Sequence, residues 1–227
     1  ETLQQRVEQG DAEAMYQLGR FYHIGEVVEA DYDKAMTLYH RANALGYPLA
    51  ANNIGALYDD MGEPEKSVEW FEQGIRQGDK RATISLGRFY LLGIGVEQDT
   101  FKGMQMLEKY DNHGLASYLL AQVYDGVIGY GVPINYPKAL EYYLLAEKNK
   151  QDLPNKDLMT LYNNLGILYN AHEDIPTNYV EAQKYLTKAA EMGLPNAMYG
   201  LANLYDFRGD KKQAFKWYLK AAENGLI

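Results

Sequence analysis

The sequence contains no cysteine, which excludes disulfides and thiolate metal sites. Histidine is scarce. His23, His40, His113 and His172 are the only four, and none has a second histidine or a carboxylate at helical metal-ligand spacing on the same clear face, so they read as loop or surface residues and no metal is expected. Serines are few and scattered, and no G-x-S-x-G occurs. Catalysis needs a nucleophile–base pair or a carboxylate pair in a cleft, and nothing in the spacing supplies one. No apolar run reaches the eighteen or more residues of a membrane-spanning helix. Lys and Arg are outnumbered 22 to 31 by Asp and Glu, for a formal charge of −9. That argues against binding a phosphate backbone and suits a soluble protein that meets a basic partner. Gly126-Val127-Ile128-Gly129-Tyr130-Gly131 invites a phosphate-loop reading, but it follows a helix rather than a strand and no Gly-Lys-Ser/Thr closes it, so no cofactor is expected. The chain begins at Glu1 rather than methionine, which reads as either a cut boundary or a removed targeting segment.

What the chain has in abundance is tyrosine, 21 residues in 227, and the tyrosines are periodic. The clearest unit is residues 194–225, two amphipathic helices joined at Arg208-Gly209-Asp210. Ala197, Leu201, Ala202 and Tyr205 share one helical face. Ala214, Trp217, Tyr218 and Ala221 form the stripe of the second helix. Pro195 suits a first turn, Asn196 suits a cap, and Gly225 suits a left-handed helix end. Such a pair leaves apolar surface on both flanks and needs neighbours of its own kind.

Earlier copies are found by anchoring on a small residue: Gly19, Gly55, Gly87, Ala121, Gly166 and Ala202. Each is preceded by Leu or Ile and followed three residues later by tyrosine, at Tyr22, Tyr58, Tyr90, Tyr124, Tyr169 and Tyr205. Second helices carry Ala35, Ser67, Gly103, Ala139, Ala182 and Ala214, each followed four later by Tyr39, Phe71, Leu107, Tyr143, Leu186 and Tyr218. Seven after the small residue stands another small one, except at Tyr110. Eleven after it stands a glycine (Gly46, Gly78, Gly114, Gly193, Gly225), except at Lys150, where Asn149 is expected to serve as a weaker left-handed cap. Small residues let helices approach and large ones fill the space between layers. Helices are predicted at 12–24, 32–45, 49–61, 65–77, 80–92, 99–113, 115–125, 136–149, 157–170, 178–192, 195–207 and 210–224, with 150–157 as an insertion. Asp31, Asp99, Asn135 and Asn178 are the expected N-caps.

The link from tyrosine to the next small residue spans nine residues in copies two and six, thirteen in copies one, three and five, and fifteen in copy four. Nine is the spacing of a tetratricopeptide repeat. With L-G-x-x-Y and the Ala189-Ala190-Glu191-Met192-Gly193 ending, the longer form resembles the Sel-one-like repeat (SLR) family over nearly all of residues 11–225. The resemblance implies an all-α fold, a right-handed solenoid of about six antiparallel helix pairs. Residues 1–10 then read as an end helix or the remnant of an upstream repeat, and 11–227 as the array. The family is one of interaction scaffolds. The absence of cysteine sets this chain apart from its disulfide-stapled secreted branch.

In such an array the first helices line a concave wall. The expected partner-binding residues there are Tyr16, Arg20, Asn52, Asn53, Arg81, Arg88, Tyr118, Gln122, Asn163, Asn164, Tyr199 and Asn203. Amides and arginines are costly to bury unpaired, and tyrosine offers contact area plus a hydroxyl. Some tetratricopeptide domains clamp a C-terminal carboxylate with two asparagines and basic residues. Asn53 and Arg81 match two of those positions, while Arg20 and Ser85 depart from the other two. The expected function is a non-enzymatic scaffold for a protein or peptide segment, with homodimerisation through the array ends as a possibility. The alternatives are a bacterial immunity protein, cytoplasmic or periplasmic, that plugs a toxin or effector enzyme with loop 125–134 or 150–156, and a hydrolase acting on cell-wall or antibiotic substrates, as suggested for some relatives.

Overall fold

The computed structural model describes residues 2–170 and 174–225. Among them it holds thirteen α-helices, one 3-10 turn and no strand. The helices form two compact units, Glu1–Tyr110 and Asp111–Ile227. The first unit holds α1 (Leu3–Glu8) and three antiparallel pairs: α2 (Ala12–Ile24) with α3 (Tyr32–Ala44), α4 (Ala50–Asp60) with α5 (Pro64–Arg76), and α6 (Lys80–Leu92) with α7 (Thr100–Glu108). The second holds α8 (Gly114–Tyr124) with α9 (Tyr136–Lys148), the 3-10 turn Lys150–Asp152, α10 (Asn155–Asn170) with α11 (Tyr179–Glu191), and α12 (Pro195–Phe207) with α13 (Lys211–Glu223). Within each unit every pair packs on the next.

The repeated columns have a steric cause. A Cβ added at Gly19 would lie 2.8 Å from the Tyr39 ring, at Gly55 2.5 Å from the Phe71 ring, and at Gly166 2.6 Å from Leu186. The small residue of each first helix is therefore the seat for the large residue four past the small one on the second helix. Tyr39, Phe71, Leu107, Tyr143 and Leu186 are all at most 2 % exposed in those seats.

A second device holds the loops to one register. In all six pairs the backbone N–H of the second helix's N-cap residue donates to the carbonyl of the repeated tyrosine: Asp31 to Tyr22, Glu63 to Tyr58, Asp99 to Tyr90, Asn135 to Tyr124, Asn178 to Tyr169 and Asp210 to Tyr205, at 2.8–2.9 Å. Links of nine to fifteen residues thus close on the same bond, and the extra residues loop out beyond it. The expected caps hold: Asp31, Asp99, Asn135 and Asn178 each accept from a backbone N–H three residues on.

The structure corrects five local expectations. Helix α7 stops at Glu108, not 113; Tyr110 stands where other copies have the small residue that lets the last turn pack. Gly114 is no helix end. It opens α8, and glycine is required because a Cβ there would fall 2.2 Å from the Asn149 carbonyl oxygen. Asn149 keeps φ −109°, so it is not left-handed, and its side-chain amide donates to the Leu145 carbonyl. Helix α10 starts at Asn155, inside the expected insertion, because the Pro154 carbonyl already accepts from Leu158 N–H. Leu194 rather than Asn196 is the N-cap of α12, with Pro195 in its first turn.

Candidate functional site: the first-helix walls

In the first unit the wall is formed by α2, α4 and α6, and its polar side chains largely bind one another. Arg81, at the start of α6, donates to both Asp79 carboxylate oxygens, to Tyr16 Oη at 3.1 Å and to the Leu49 carbonyl at 2.9 Å. The Asp79 side chain is 1 % exposed. Arg81 is therefore a rivet across three helix pairs, and its guanidinium is held above its usual pKa by the Asp79 bond and the Tyr16 hydroxyl despite burial. Asn52 is buried and accepts from Ser85 Oγ at 2.9 Å. Arg88 donates to Asp59 at 3.0 Å and lies beside the Phe89 ring. Tyr16 is 3 % exposed and packs on Tyr39 and Tyr47.

Arg20 differs. It is exposed and has no hydrogen bond or ion pair among the described residues. It lines a cavity of about 190 Å³ with Gln17, Phe21, Ile24 and Glu26, where Phe21 is 38 % and Ile24 52 % exposed.

In the second unit the wall is formed by α8, α10 and α12, and it is uncharged apart from aspartates. Tyr143, on α9, reaches through from behind: its hydroxyl donates to Asp125 at 2.9 Å and accepts from Asn164 at 2.9 Å. Burial, then the Asp125 charge, push its pKa far up. Tyr39 plays the same part in the first unit. It bonds His23 Nδ1 at 3.2 Å and accepts from Asn53 at 3.2 Å, while His23 Nε2 meets Asp60 at 2.8 Å. A neutral His23 protonated on Nε2 satisfies all three bonds. Burial lifts the Tyr39 pKa to about 12. Tyr118 is buried, accepts from Gln122 at 3.1 Å, and its pKa is likewise raised to about 12 by burial and Asp157.

Tyr199 is 47 % exposed against Tyr218, whose hydroxyl donates to exposed Asn203 at 2.6 Å. Asn163 is half-buried with no hydrogen bond among the described residues. Ile167, 53 % exposed, helps line a cavity of about 210 Å³ with Asp125, Tyr136, Asn164 and Leu168.

Of the twelve expected wall residues, Tyr16, Asn52 and Tyr118 lie in the core. Asn53, Arg81, Arg88, Gln122 and Asn164 are held by neighbours. Arg20, Asn163, Tyr199 and Asn203 offer the most free surface or bonding capacity. The reason is the same throughout: a polar side chain between two helix layers is stable there only with a partner.

Sequence reasoning missed a column of lysines. Lys34, Lys66, Lys102 and Lys138 sit over the rings of Tyr22, Tyr58, Tyr90 and Tyr124 at 4.0–5.3 Å. The signal was present, since each stands immediately before the small residue of its second helix. Among the described histidines, His40 packs edge-on against Trp70 and burial lowers its pKa, and His113 lies 3.9 Å from Asp152. His172 lies outside the described residues. No cluster of three or more metal-ligating side chains occurs among the described residues. Nor is any described helix long and apolar enough to cross a membrane.

Helix pairs of one design, each seated in the next within its unit, define an α-helical repeat protein. The chain belongs to the Sel1 repeat family, whose repeat matches residues 12–47, 48–79, 81–109, 114–150, 162–194 and 195–226. It is similar to chitin synthase regulatory factor 4 of Schizosaccharomyces pombe, 26 % identical over 266 residues that cover 95 % of this chain and 42 % of that protein. The chain thus spans less than half of that relative. Among solved structures it is similar to a Sel1 repeat protein from Oxalobacter formigenes, with TM-score 0.74 and 23 % identity over 95 % of this chain and 89 % of that one. It is also similar to immunity protein Pa5087 from Pseudomonas aeruginosa, with TM-score 0.56 and 21 % identity over 86 % and 72 %. At these identities the two structural likenesses concern the fold.

Proposed function

We propose that the chain is a non-enzymatic scaffold that grips a segment of a partner protein on its first-helix walls. The observation that carries this reading is Arg20: an exposed, unpaired guanidinium on a rigid helix, beside half-exposed Phe21 and Ile24. Most other polar wall groups are held by neighbours, so a free arginine next to apolar surface has the make-up of an anchor for a carboxylate and an adjoining apolar side chain. In the second unit, Ile167, Tyr199 and Asn203 present the corresponding uncharged surface.

The test compares wild-type and Arg20→Ala/Ile24→Asp chains as affinity baits in lysate of the source organism, with captured proteins quantified by mass spectrometry. Both substitutions are at exposed positions and the fold is expected to be intact by circular dichroism. A protein held by the wild type and lost by the variant supports the wall; equal capture by both sinks it.

A second reading, in which the chain plugs a toxin or effector enzyme, is favoured by the loop between α8 and α9. There Val127 is 57 %, Tyr130 76 % and Ile134 56 % exposed. On that reading a Tyr130→Ala/Ile134→Asp bait loses the captured protein and the Arg20 variant keeps it.

A further inference from the structure

One place on the first-helix wall is filled differently in the two units. In the first unit Asp59, four residues after the small residue of α4, pairs at 3.0 Å with Arg88, one residue after the small residue of α6. The second unit repeats these positions on α8 and α10. Asp125 stands four residues after Ala121, and the residue one after Gly166 is Ile167. The aspartate is kept, and an apolar side chain stands at the position of the arginine.

A hollow lies at that place. Asp125, Tyr136, Asn164, Ile167 and Leu168 line a cavity of about 210 Å³ between two consecutive helix pairs of the unit. Leu168 is buried, whereas Ile167 is 53 % exposed. The other first helices carry Arg20, Ala56, Arg88, Gln122 and Asn203 in the column of Ile167, so it is the one large apolar residue there. Among the described residues no lysine or arginine lines the cavity, and Lys138 of α9 lies over the Tyr124 ring at 4.3 Å. The carboxylate is positioned from behind. Tyr143 Oη donates to Asp125 at 2.9 Å, and Asn164 holds that hydroxyl with a second bond of 2.9 Å. A carboxylate offers about four acceptor sites, so it can take a guanidinium beside the Tyr143 hydroxyl.

We propose that this cavity is a subsite for an arginine side chain of the partner segment. The side chain takes the place against Asp125 that Arg88 takes against Asp59. Its methylenes lie on Ile167 and Leu168, and its guanidinium meets the Asp125 carboxylate, with the Tyr136 ring in the same lining. A cation from the partner also complements a chain whose net charge is −9. The inference rests on the scaffold reading above and adds the chemistry of one partner residue, at a place separate from Arg20.

The probe is Nα-acetyl-arginine N-methylamide, titrated into the whole chain with isotope-labelled isoleucine and leucine methyl groups and read by NMR. The matching citrulline compound is the uncharged isostere. The Ile167 and Leu168 methyl signals are expected to shift saturably with the arginine probe, and citrulline is expected to bind at least roughly tenfold more weakly. Asp125→Asn keeps an oxygen for the Tyr143 hydroxyl but removes the charge. It weakens arginine binding by roughly tenfold and leaves citrulline unchanged. Ile167→Arg supplies the cation from the chain itself, so the probe no longer moves Leu168; the position is exposed, and the thermal melt is unchanged. Arg20→Ala leaves the titration as in the wild type. The proposal is overturned if citrulline shifts the same signals equally, if both cavity variants bind as the wild type does, or if tens of millimolar arginine probe move neither methyl. The titration needs no partner protein. A chain that binds the probe but captures nothing from lysate loses the scaffold reading and keeps the cation site. A chain that captures a protein but ignores the probe loses the subsite alone.

Discussion

The two units solve the same stacking problem with different chemistry. The first ties its wall with charge: Arg81 to Asp79 and Arg88 to Asp59. The second has no arginine among its inner bonds and relies on Tyr143, Asp125 and Asn164. Both place a second-helix tyrosine between successive first helices, and in both the next repeat answers with asparagine. Where the second helix carries Phe71 or Leu186 instead, the residue at the matching position of the next repeat is Ser85 or Gly200. A polar wall residue is therefore first a statement about the helix behind it, and only what is left over is available to a partner.

The sharpest contrast between the units is Arg81. Arg81→Ala strands the buried Asp79 charge, the Tyr16 hydroxyl and the Leu49 carbonyl. It is expected to cost about 3 kcal/mol or more in urea unfolding followed by Trp70, which lies in the first unit. Trp217 reports on the second unit, and removing an amide there costs less.

A middle-sized effect tests the seats. Gly55→Ala improves helix propensity by about 0.8–1 kcal/mol, but its Cβ meets the Phe71 ring at 2.5 Å. Overpacking costs about 1–3 kcal/mol, so a net loss is expected by thermal unfolding. Ala121, the matching position in the second unit, already carries a methyl and is fully buried, as is Tyr143 of α9.

Alkaline pH separates the units next. A phenol whose folded pKa is raised contributes stability that is present below its unfolded value near 10 and lost as pH rises through the folded value. Tyr39 and Tyr118 are raised to about 12, and Tyr47, Tyr143, Tyr169, Tyr185 and Tyr218 are raised as well. Most of these belong to the second unit. Urea midpoints in single-tryptophan variants are expected to fall more steeply for Trp217 than for Trp70 above about pH 10. The smallest effect is Arg88→Ala: its pair with Asp59 is partly exposed, and a change of about 0–1 kcal/mol is expected in the same urea assay.

The repeat was legible because small and large residues must alternate wherever helices seat on each other, and that leaves columns. Caps at Asp31, Asp99, Asn135 and Asn178 were legible because a cap is a local bond. Gly114 was misread because its glycine answers to Asn149, 35 residues later, and not to its own helix end. The wall was only half legible for the same reason: Tyr16 is closed off by Arg81, 65 residues on. The pairing of Tyr39 with Asn53 and of Tyr143 with Asn164 could have been read by comparing two columns rather than one.

The most direct test of this account is a double-mutant cycle on Tyr143→Phe and Asn164→Leu, read by urea unfolding of the second unit. If the amide's first role is to hold the tyrosine hydroxyl, each single change costs about 1–2 kcal/mol and the double change costs less than their sum, with a coupling near 1 kcal/mol, because Phe and Leu together leave no donor stranded between them. Additive losses, or an Asn164→Leu chain as stable as the wild type, would contradict it and return Asn164 to the surface that a partner reads.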